Sequence, residues 1–330
     1  MHELIKRLKQ ITEKILFSGN DFSKQHSACN ELYNFFASLT GVSDSSENTD
    51  DAAQTILPNG KAISPKDAAQ CVLDFARTTQ FLRGIYAAIL ELQKRFPNEK
   101  LEILYAGCGP FAALIVPLLT QFEPQEFGVT LIDYHQRSID AAKSIFQKLQ
   151  VKGFAADFVQ TDATAYQHKE KLHLIICETM QTALRKEPQA AITLNLAPQL
   201  AESGIFIPQK ISIEVCLANP SKEFASDGAE KERIYLGEIL ELDAEKIRQS
   251  SAQNFCFPAI TLKIPPMNVE KPDFMLLTKI LIFDKFELSG RDSAITYPKV
   301  LNDLRGFSGN NRIEFTYIFD KNPRFKYAKI

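Results

Sequence analysis

The first third of the chain carries two amphipathic helical patterns. Apolar residues recur at helical spacing over positions 4–16 and again over 29–39, where the pattern ends at Gly41. Such spacing places the apolar side chains on one face of each helix. We therefore expect two helices that form a hairpin and cover a further surface. The acidic, small-residue stretch 43–51 is typical of a mobile loop that meets solvent.

A turn and a long helix are predicted next. Residues 58–60, Pro-Asn-Gly, separate two short apolar runs, as in a turn between strands. Ser64 followed by Pro65 has the composition of a helix N-terminus. The helical pattern extends over 64–95, and we expect it to break at Gly84.

The middle of the chain alternates short apolar runs with helical patterns. Buried strands are predicted at four places, and each reaches a polar residue at its end: 101–105, 127–133, 158–162 and 172–178. Helical patterns separate or follow them at 111–122, 138–149 and 189–200. This alternation predicts a Rossmann-like α/β fold, a doubly wound parallel sheet that binds its ligand at the carboxyl ends of the strands.

The last third changes from helical to strand periodicity. Alternating apolar positions occur over 211–217, 235–242, 274–286 and 313–319, with Pro-, Gly- and Asn-rich turns between them. We expect a β-rich second domain, either a barrel or a sandwich. Arg312, Tyr317 and Arg324 are interpreted as covering a sheet face rather than lining a substrate groove.

These patterns divide the chain into three parts. We predict an N-terminal helical extension over 1–63, a nucleotide-binding domain over 64–208, and a β-rich substrate or dimerisation domain over 209–330. Within the last part, 219–231 is expected to form a loop or arm, and 243–249 a short helix.

Charge and cysteine content narrow the function classes. The formal net charge is −2 and the pI is near 6.3, which argues against a dedicated nucleic-acid-binding protein. The cysteines are scattered singly, so we expect neither a metal site nor a disulfide framework: Cys29, Cys71, Cys108, Cys177, Cys216 and Cys256. No apolar stretch reaches the length of a membrane span, and the first residues lack the hydrophobic region of a signal peptide. We predict a soluble, cytoplasmic protein that binds neither membranes nor nucleic acid.

The turn after the first predicted strand carries the candidate chemistry. Gly107-Cys108-Gly109 follows the apolar run that ends at Tyr105, and glycine permits a sharp turn against a ligand. A strand, such a turn and a helix together present backbone N–H groups to a small ligand. The residues from Gly107 to Ala112 also satisfy the G-x-G-x-x-A variant of the dinucleotide fingerprint. The turn alone therefore leaves open another nucleotide cofactor, a dinucleotide, or a structural turn with no ligand.

Aspartates end the next two predicted strands. Asp133, followed by Tyr134, is placed to accept hydrogen bonds from a ribose diol, or to cap the helix that follows. Asp162, followed by Ala163, lies where an adenine edge is bound in such folds, or serves as a turn residue. Both interpretations stay open for each aspartate.

Two glutamates, Glu178 and Glu187, flank an irregular loop after the fourth predicted strand. Paired carboxylates can clamp a guanidinium or ammonium group by charge-assisted hydrogen bonds, and so turn one nitrogen toward an electrophilic methyl group. Glu187 also precedes Pro188 at a helix start, where a carboxylate interacts favourably with the helix dipole.

Four residues of the predicted helix 64–95 lie largely on one side of it: Asp74, Arg77, Thr78 and Phe81. The simplest structural interpretation is an Asp74–Arg77 pair above a buried Phe81.

Taken in order, these motifs resemble the protein arginine methyltransferase family over residues 64–215. The resemblance rests on Gly107-Cys-Gly109, on Asp133, on the spacing of Glu178, Met180, Leu184 and Glu187, on the Asp74-x-x-Arg77-Thr78-x-x-Phe81 helix, and on the segment 200–208. It implies a class I S-adenosylmethionine-dependent methyltransferase, with S-adenosylhomocysteine as a product.

The resemblance also implies roles for individual residues. Arg77 would contact the cofactor carboxylate, Gly107 and Gly109 the methionine part, Asp133 the ribose and Asp162 the adenine. Glu178 and Glu187 would be the catalytic acids that orient a nucleophilic nitrogen. The neighbours Tyr105, Cys108, Tyr134 and Ala163 complete the predicted cofactor site.

Two departures bear on the methyl acceptor. The chain has no tryptophan, and its five histidines are His2, His26, His135, His168 and His173. The family's Thr-His-Trp loop beside the active site is therefore missing, which puts arginine as the substrate in doubt. The ribose-binding acid, usually glutamate, is here Asp133.

We predict methyl transfer to a nucleophile, favouring nitrogen, of a small molecule or of a protein or peptide side chain. The family's C-terminal half also implies a homodimer. An NAD-dependent oxidoreductase on the same sheet is one alternative, although the sequence offers no evident acid/base pair for hydride transfer. A non-catalytic cofactor-binding scaffold is the other, and the missing histidine is its best support.

Overall fold

The computed structural model describes residues 2–151, 153–154, 156–225, 231–249, 257–266, 269, 272–301 and 311–330. Cys256 and part of the predicted loop 219–231 lie outside the described residues. Within the described part, no helix combines the length and the apolar character that a membrane span requires.

The N-terminal helical hairpin is confirmed. Helix α1 spans His2–Phe17 and helix α2 spans Phe22–Thr40. The side chain of Asp21 accepts a hydrogen bond from the Lys24 N–H at the start of α2, and Gly41 ends the helix in the left-handed conformation at φ 75°. Most of the apolar face of the pair is buried against the rest of the molecule, and Leu4 and Ile5 are partly buried.

The expectation that 43–51 meets solvent is wrong at its end. Residues Thr49–Ala52 form a 3₁₀-helix, and Asp51 is only 1% exposed. Its carboxylate accepts a hydrogen bond from Arg137 Nε at 2.6 Å. A buried carboxylate needs such a partner, and the partner lies too far along the chain for a local pattern to reveal it.

The predicted turn forms at Pro58 and Asn59, directly before Gly60. Strands β1 (Thr55–Leu57) and β2 (Gly60–Ala62) pair as an antiparallel hairpin. Ser64 then caps helix α3 (Pro65–Gln70), as predicted, through a hydrogen bond from the Asp67 N–H at 3.1 Å.

The predicted helix 64–95 breaks at Asp74 rather than at Gly84. A 3₁₀ turn, Cys71–Leu73, separates α3 from helix α4 (Phe75–Arg95). The Asp74 side chain restarts the helix by accepting a hydrogen bond from the Arg77 N–H. Gly84 stays inside α4, where a Cβ would lie 2.5 Å from Ile282 Cγ2. Glycine is therefore needed at this position for close packing rather than for a break.

The central sheet is parallel, as predicted. Its strands are β3 (Leu101–Ala106), β4 (Phe127–Asp133), β5 (Ala156–Gln160), β6 (Leu172–Cys177) and β7 (Leu200–Ile207). They lie in the order β5-β4-β3-β6-β7 and are parallel throughout. Helix α5 (Gln136–Leu149) follows β4, and helix α6 (Gln189–Leu196) leads to a 3₁₀ turn before β7. The carboxyl ends of β3, β4, β5 and β6 meet at one edge.

The helix predicted over 111–122 is wrong. Turns follow β3, and the next helical piece is a short 3₁₀-helix, Val116–Gln121. Ala112 has φ 42°, outside the α-helical region, and Pro117 cannot donate the hydrogen bond that an α-helix interior requires.

The C-terminal part is antiparallel and β-rich, as predicted. Its elements are β8 (Lys210–Ala218), α7 (Pro220–Glu223), β9 (Arg233–Asp243), α8 (Ala244–Gln249), β10 (Ile260–Lys263), β11 (Asp273–Phe283), β12 (Phe286–Ser289), β13 (Lys299–Val300), β14 (Arg312–Ile318) and β15 (Arg324–Lys329). One sheet has the order β12-β11-β8-β9, with β13 beside β11, and the other has the order β10-β14-β15.

Two expectations for this part need correction. The run 274–286 is two strands, because Asp284 turns the chain at φ 52°. The stretch 219–231 begins with a short helix, capped by the Asn219 side chain, rather than with a loop. Along the chain, β7 is the last strand of the parallel sheet and β8 is the first strand of the antiparallel part. The division into three domains stays a prediction.

Candidate functional site

A cavity of about 370 Å³ lies at the carboxyl ends of β3, β4, β5 and β6. This size is within the range of small-molecule sites. All the residues predicted for the cofactor and catalytic sites line it: Arg77, Tyr105, Gly107, Cys108, Gly109, Asp133, Tyr134, Asp162, Ala163, Glu178 and Glu187. In the described part of the chain, no group of three His, Cys, Asp or Glu side chains is arranged to hold a metal ion.

The glycine turn after β3 needs its glycines. Gly107 and Gly109 have φ values of 70° and 62°, in the left-handed region. A Cβ at Gly107 would lie 2.4 Å from the Thr179 Cγ2 atom, so the turn and the loop after β6 approach each other closely. Burial raises the pKa of the Cys108 thiol between them, so this side chain is neutral.

Asp133 holds the glycine turn in place. Its Oδ2 accepts a hydrogen bond from the Gly109 N–H at 2.9 Å, and its Oδ1 accepts one from the His135 N–H at 2.9 Å. The capping interpretation is wrong, because α5 begins after His135 and has no side-chain cap. Each carboxylate oxygen has a second lone pair, so Asp133 can still accept hydrogen bonds from a ligand.

Asp162 is a turn residue at the rim of the same cavity. Its Oδ1 accepts hydrogen bonds from the Thr164 N–H and the Thr164 hydroxyl, both at 2.8 Å. This geometry confirms the turn interpretation, and the contact with adenine stays a prediction.

Arg77 pairs with Glu178 rather than with Asp74. The guanidinium Nη2 contacts Glu178 Oε2, and Nη1 donates to the Cys71 carbonyl at 2.9 Å. Arg77 and Glu178 are only 7% and 8% exposed. Arg77 Nε is buried and has no hydrogen-bond partner among the described residues. A buried donor of this kind is rare in native proteins, and a ligand acceptor would satisfy it.

Asp74 instead links α4 to the C-terminal part. Its Oδ2 accepts hydrogen bonds from the Ser293 hydroxyl at 2.7 Å and from the Ala294 N–H at 3.0 Å. This contact brings Ala294 and Ile295 into the cavity wall. The sequence reasoning missed both residues, because small and aliphatic side chains in a turn carry no motif.

Glu187 differs from Glu178 in its surroundings. It is 6% exposed, and no Lys or Arg of the described residues forms an ion pair with it. Burial raises the pKa of Glu187 to about 7, although a hydrogen bond from the Gln181 side chain and the Arg77 charge favour the ionised form. The two predicted catalytic acids are therefore chemically distinct: one is paired, and the other can change its protonation near neutral pH.

The loop between the acids has a strained backbone held by long-range contacts. Ala183, Leu184 and Lys186 all have positive φ values, between 50° and 66°. Such residues persist only where the surroundings fix them. Here Tyr317 Oη donates to the Leu184 carbonyl at 2.6 Å, and the Lys186 N–H donates to the Pro323 carbonyl at 2.9 Å. Tyr317 lies on the buried face of β14, as expected of a sheet-face residue, and supports this loop from there.

Solved structures share this architecture, among them two of arginine methyltransferases. The Trypanosoma brucei PRMT1 enzyme–prozyme heterotetrameric complex with AdoHcy matches at 14% identity and a TM-score of 0.57, over 79% of this chain and 91% of that chain. Protein arginine methyltransferase 10 of Arabidopsis thaliana, in an open conformation, matches at 11% identity and a TM-score of 0.53, over 74% of this chain and 85% of that chain. The chain has the fold of the arginine methyltransferases. The predicted resemblance is confirmed at the level of the fold.

No protein-family model matches the sequence, and no curated protein matches it significantly. The likeness to the arginine methyltransferase fold is therefore visible in the structure and in the spaced motifs rather than in overall sequence identity.

Where the described C-terminal part of the chain lines the cavity, it contributes no histidine. The wall of the cavity on that side is formed by Ala294 and Ile295. Among the described residues that line the cavity, the one histidine is His135, which follows β4 and lies beside Asp133. An N-terminal wall, from Leu57 and from residues 61–63, was also missed, because a short hairpin carries no sequence signal for a ligand.

Proposed function

We propose that this protein is an S-adenosylmethionine-dependent methyltransferase that acts on a nucleophilic nitrogen of a small molecule or of a protein or peptide side chain. The observation that carries the proposal is the buried Arg77 guanidinium: Arg77 belongs to the lining of the cavity, and its Nε donor has no hydrogen-bond partner among the described residues. An amino-acid carboxylate is a suitable acceptor for that donor. The fold likeness supports the same cofactor, since the Trypanosoma brucei structure contains AdoHcy.

The other lining residues fit the remaining parts of the cofactor. The backbone of the Gly107–Gly109 turn would lie along the methionine part, with Tyr105 and Cys108 beneath it. Asp133 and Tyr134 would contact the ribose, and Asp162 and Ala163 the adenine. When bound, the cofactor supplies a methyl group on a positively charged sulfur.

The acids would prepare the acceptor. Glu178, whose negative charge is balanced by Arg77, would accept a hydrogen bond from the acceptor nitrogen and so orient that nitrogen. Glu187 would accept the proton that the nitrogen loses, because a base whose pKa is about 7 works well near neutral pH. Positioning and charge balance would then be the main contributions to an in-line displacement.

The glycine turn argues against the NAD alternative. Dinucleotide sites place a pyrophosphate at the N-terminus of a helix that follows the turn. Here turns and a short 3₁₀-helix follow instead, so no long helix points its N-terminus at the cavity from this strand.

The non-catalytic scaffold stays a second candidate. The absence of a histidine from the C-terminal wall of the cavity favours it. Binding of the cofactor without methyl transfer to any of a panel of amines, peptides and hydroxyl compounds would support the scaffold over the enzyme.

We propose a cytoplasmic location, on the sequence argument of singly spaced cysteines. A homodimer is proposed on the resemblance of the C-terminal half to that of the arginine methyltransferases.

Calorimetric titration with S-adenosylhomocysteine tests the cofactor assignment. We expect the wild type to bind, and Arg77→Lys to bind at least roughly tenfold more weakly, because lysine keeps the charge but loses the Nε donor and the planar fork. Arg83→Lys is the matched control on the same helix. Its guanidinium bonds to Ile15, Ser18 and Gly19, away from the cavity, so affinity should stay within about twofold. A wild type that does not bind would refute the proposal.

A further inference from the structure

The β1–β2 hairpin forms part of the wall of the candidate site. It bonds to three of the loops that form the cavity edge: Thr55 Oγ1 lies 3.3 Å from His135 Nε2, Asn59 Nδ2 lies 3.4 Å from Thr164 Oγ1, and the Lys61 N–H donates to the Lys186 carbonyl at 2.7 Å. These partners follow β4, β5 and β6 in turn. The hairpin therefore joins the predicted cofactor end of the cavity to the loop between Glu178 and Glu187, which we call the acid loop.

Gly60 packs directly against the backbone of the acid loop, residues 178–187. Its φ is 147°, a conformation that favours glycine. A Cβ at this position would lie 2.8 Å from Pro188 N and 3.0 Å from the carbonyl carbon of Glu187. Both neighbours are backbone atoms, so a rotamer change cannot relieve the contact.

The hairpin is also tied to helix α3. Lys61 Nζ donates to Gln54 Oε1 at 2.9 Å, and Gln54 Nε2 donates to Asp67 Oδ2 at 2.8 Å. Asp67 lies on α3 and lines the cavity. The hairpin is thus held on two sides, and its position relative to the acid loop is fixed.

We propose that the hairpin positions Glu187, and that Gly60 is the positioning residue through which it acts. The Lys186 backbone, next to Glu187, donates its N–H to the Pro323 carbonyl and accepts at its carbonyl from the Lys61 N–H of the hairpin, while Gly60 packs against the backbone of Glu187 and Pro188 with no room for a Cβ. Because Lys186 has a positive φ, this segment would relax to another conformation if these contacts were lost. The inference rests on the proposed function, since it assigns the hairpin to the acceptor side of that site.

Several other groups face Glu187 from the elements packed around it. They are Arg77 on α4, Lys61 on the hairpin, Asp67 on α3, Glu178 in the same cavity, and the thiols of Cys71 and Cys177. Only a measurement that isolates Glu187 from these groups tests its position, so Glu187→Gln serves as the reference in the pH measurement below.

Amide hydrogen exchange of the ligand-free protein tests the contact itself. Gly60→Ala should raise the exchange rates of the Lys61 and Lys186 amides roughly tenfold or more, because the new Cβ pushes the hairpin off the acid loop. Gly41→Ala is the control: Gly41 also has a positive φ, 75°, but a Cβ there meets nothing within 4 Å. It should leave both rates unchanged. Wild-type rates in Gly60→Ala would overturn the proposal.

The preference for S-adenosylmethionine over S-adenosylhomocysteine tests the consequence for Glu187. The two ligands differ by the charge of the sulfonium, so an ionised Glu187 should favour the former. In the wild type we expect this preference to rise roughly tenfold between pH 6 and pH 8, and to stay flat in Glu187→Gln. Gly60→Ala should lose most of the rise, whereas Gly41→Ala should keep it. If the preference of Gly60→Ala for S-adenosylmethionine rose with pH as much as that of the wild type, the positioning role would be overturned.

The two proposals fail differently. A wild type that binds neither ligand refutes the proposed function, while the exchange rates still judge the hairpin contact. Normal ligand binding with unaltered exchange in Gly60→Ala refutes the hairpin proposal alone. If Gly60→Ala does not fold, the double variant Thr55→Ala/Asn59→Ala removes two hairpin contacts without adding volume. It should then raise the same exchange rates in the same direction, and unchanged rates would again refute the proposal.

Discussion

Arg77 illustrates what can be predicted at the scale of single residues. Its helical spacing placed it near Asp74, and its motif placed it at the cofactor. The structure keeps it at the cavity but gives it Glu178 as its partner. Spacing along one helix identifies only neighbours on that helix. The carboxylate that competes for the guanidinium comes from the end of β6, about 100 residues away in the chain, and local patterns cannot rank the two.

Glu187 should make the protein less stable as the pH rises. Its pKa in the folded state is about 7, above the ordinary value of 4.5. The folded state therefore holds the proton between these values, and the free energy of unfolding falls across that window by up to about 3 kcal/mol. Glu187→Gln stays neutral and should be more stable than the wild type by about 1–3 kcal/mol at pH 8, but similar near pH 4.5.

Urea denaturation at pH 4.5 and pH 8 measures this difference. Glu170→Gln, at an exposed glutamate, is the matched control and should follow the wild type at both values. A Glu187→Gln variant that loses stability at pH 8, or keeps the pH dependence of the wild type, would contradict the assignment of the buried acid.

At the scale of elements, strands and amphipathic helices were predictable and their interruptions were not. The parallel strands follow from apolar runs and the helical hairpin from its spacing. The helix predicted over 111–122 does not form, because Pro117 interrupts an apolar run that otherwise has the composition of a helix. The break at Asp74 was missed because a capping aspartate in the middle of a helical pattern looks like any other polar position.

The loop between the acids depends on an element from the other end of the chain. Tyr317→Phe removes the hydrogen bond to the Leu184 carbonyl and leaves that acceptor without its donor, which should lower the free energy of unfolding by about 1–2 kcal/mol. Tyr235→Phe, at an exposed tyrosine of β9, should change it by less than about 0.5 kcal/mol. Urea denaturation of the two variants compares them directly. Equal effects would mean that the buried hydroxyl does not support the loop.

At the scale of the whole molecule, the sequence indicated the order of the parts but not how they meet. The parallel sheet forms the base of the cavity. The β1–β2 hairpin forms one wall, and residues 294–295 form another. The contact between Asp74 and Ser293 spans 219 residues, and that between Leu184 and Tyr317 spans 133. Neither end of such a contact carries a local signal, so the base of the site was predictable and its walls were not.

A crystal structure of the complex with S-adenosylhomocysteine tests the central claim most directly. We expect the ligand in the cavity, with its carboxylate accepting a hydrogen bond from Arg77 Nε, its ribose at Asp133, and Glu178 and Glu187 facing its sulfur. A ligand bound elsewhere, or one whose sulfur lies away from both glutamates while Arg77 Nε still has no partner, would contradict the account.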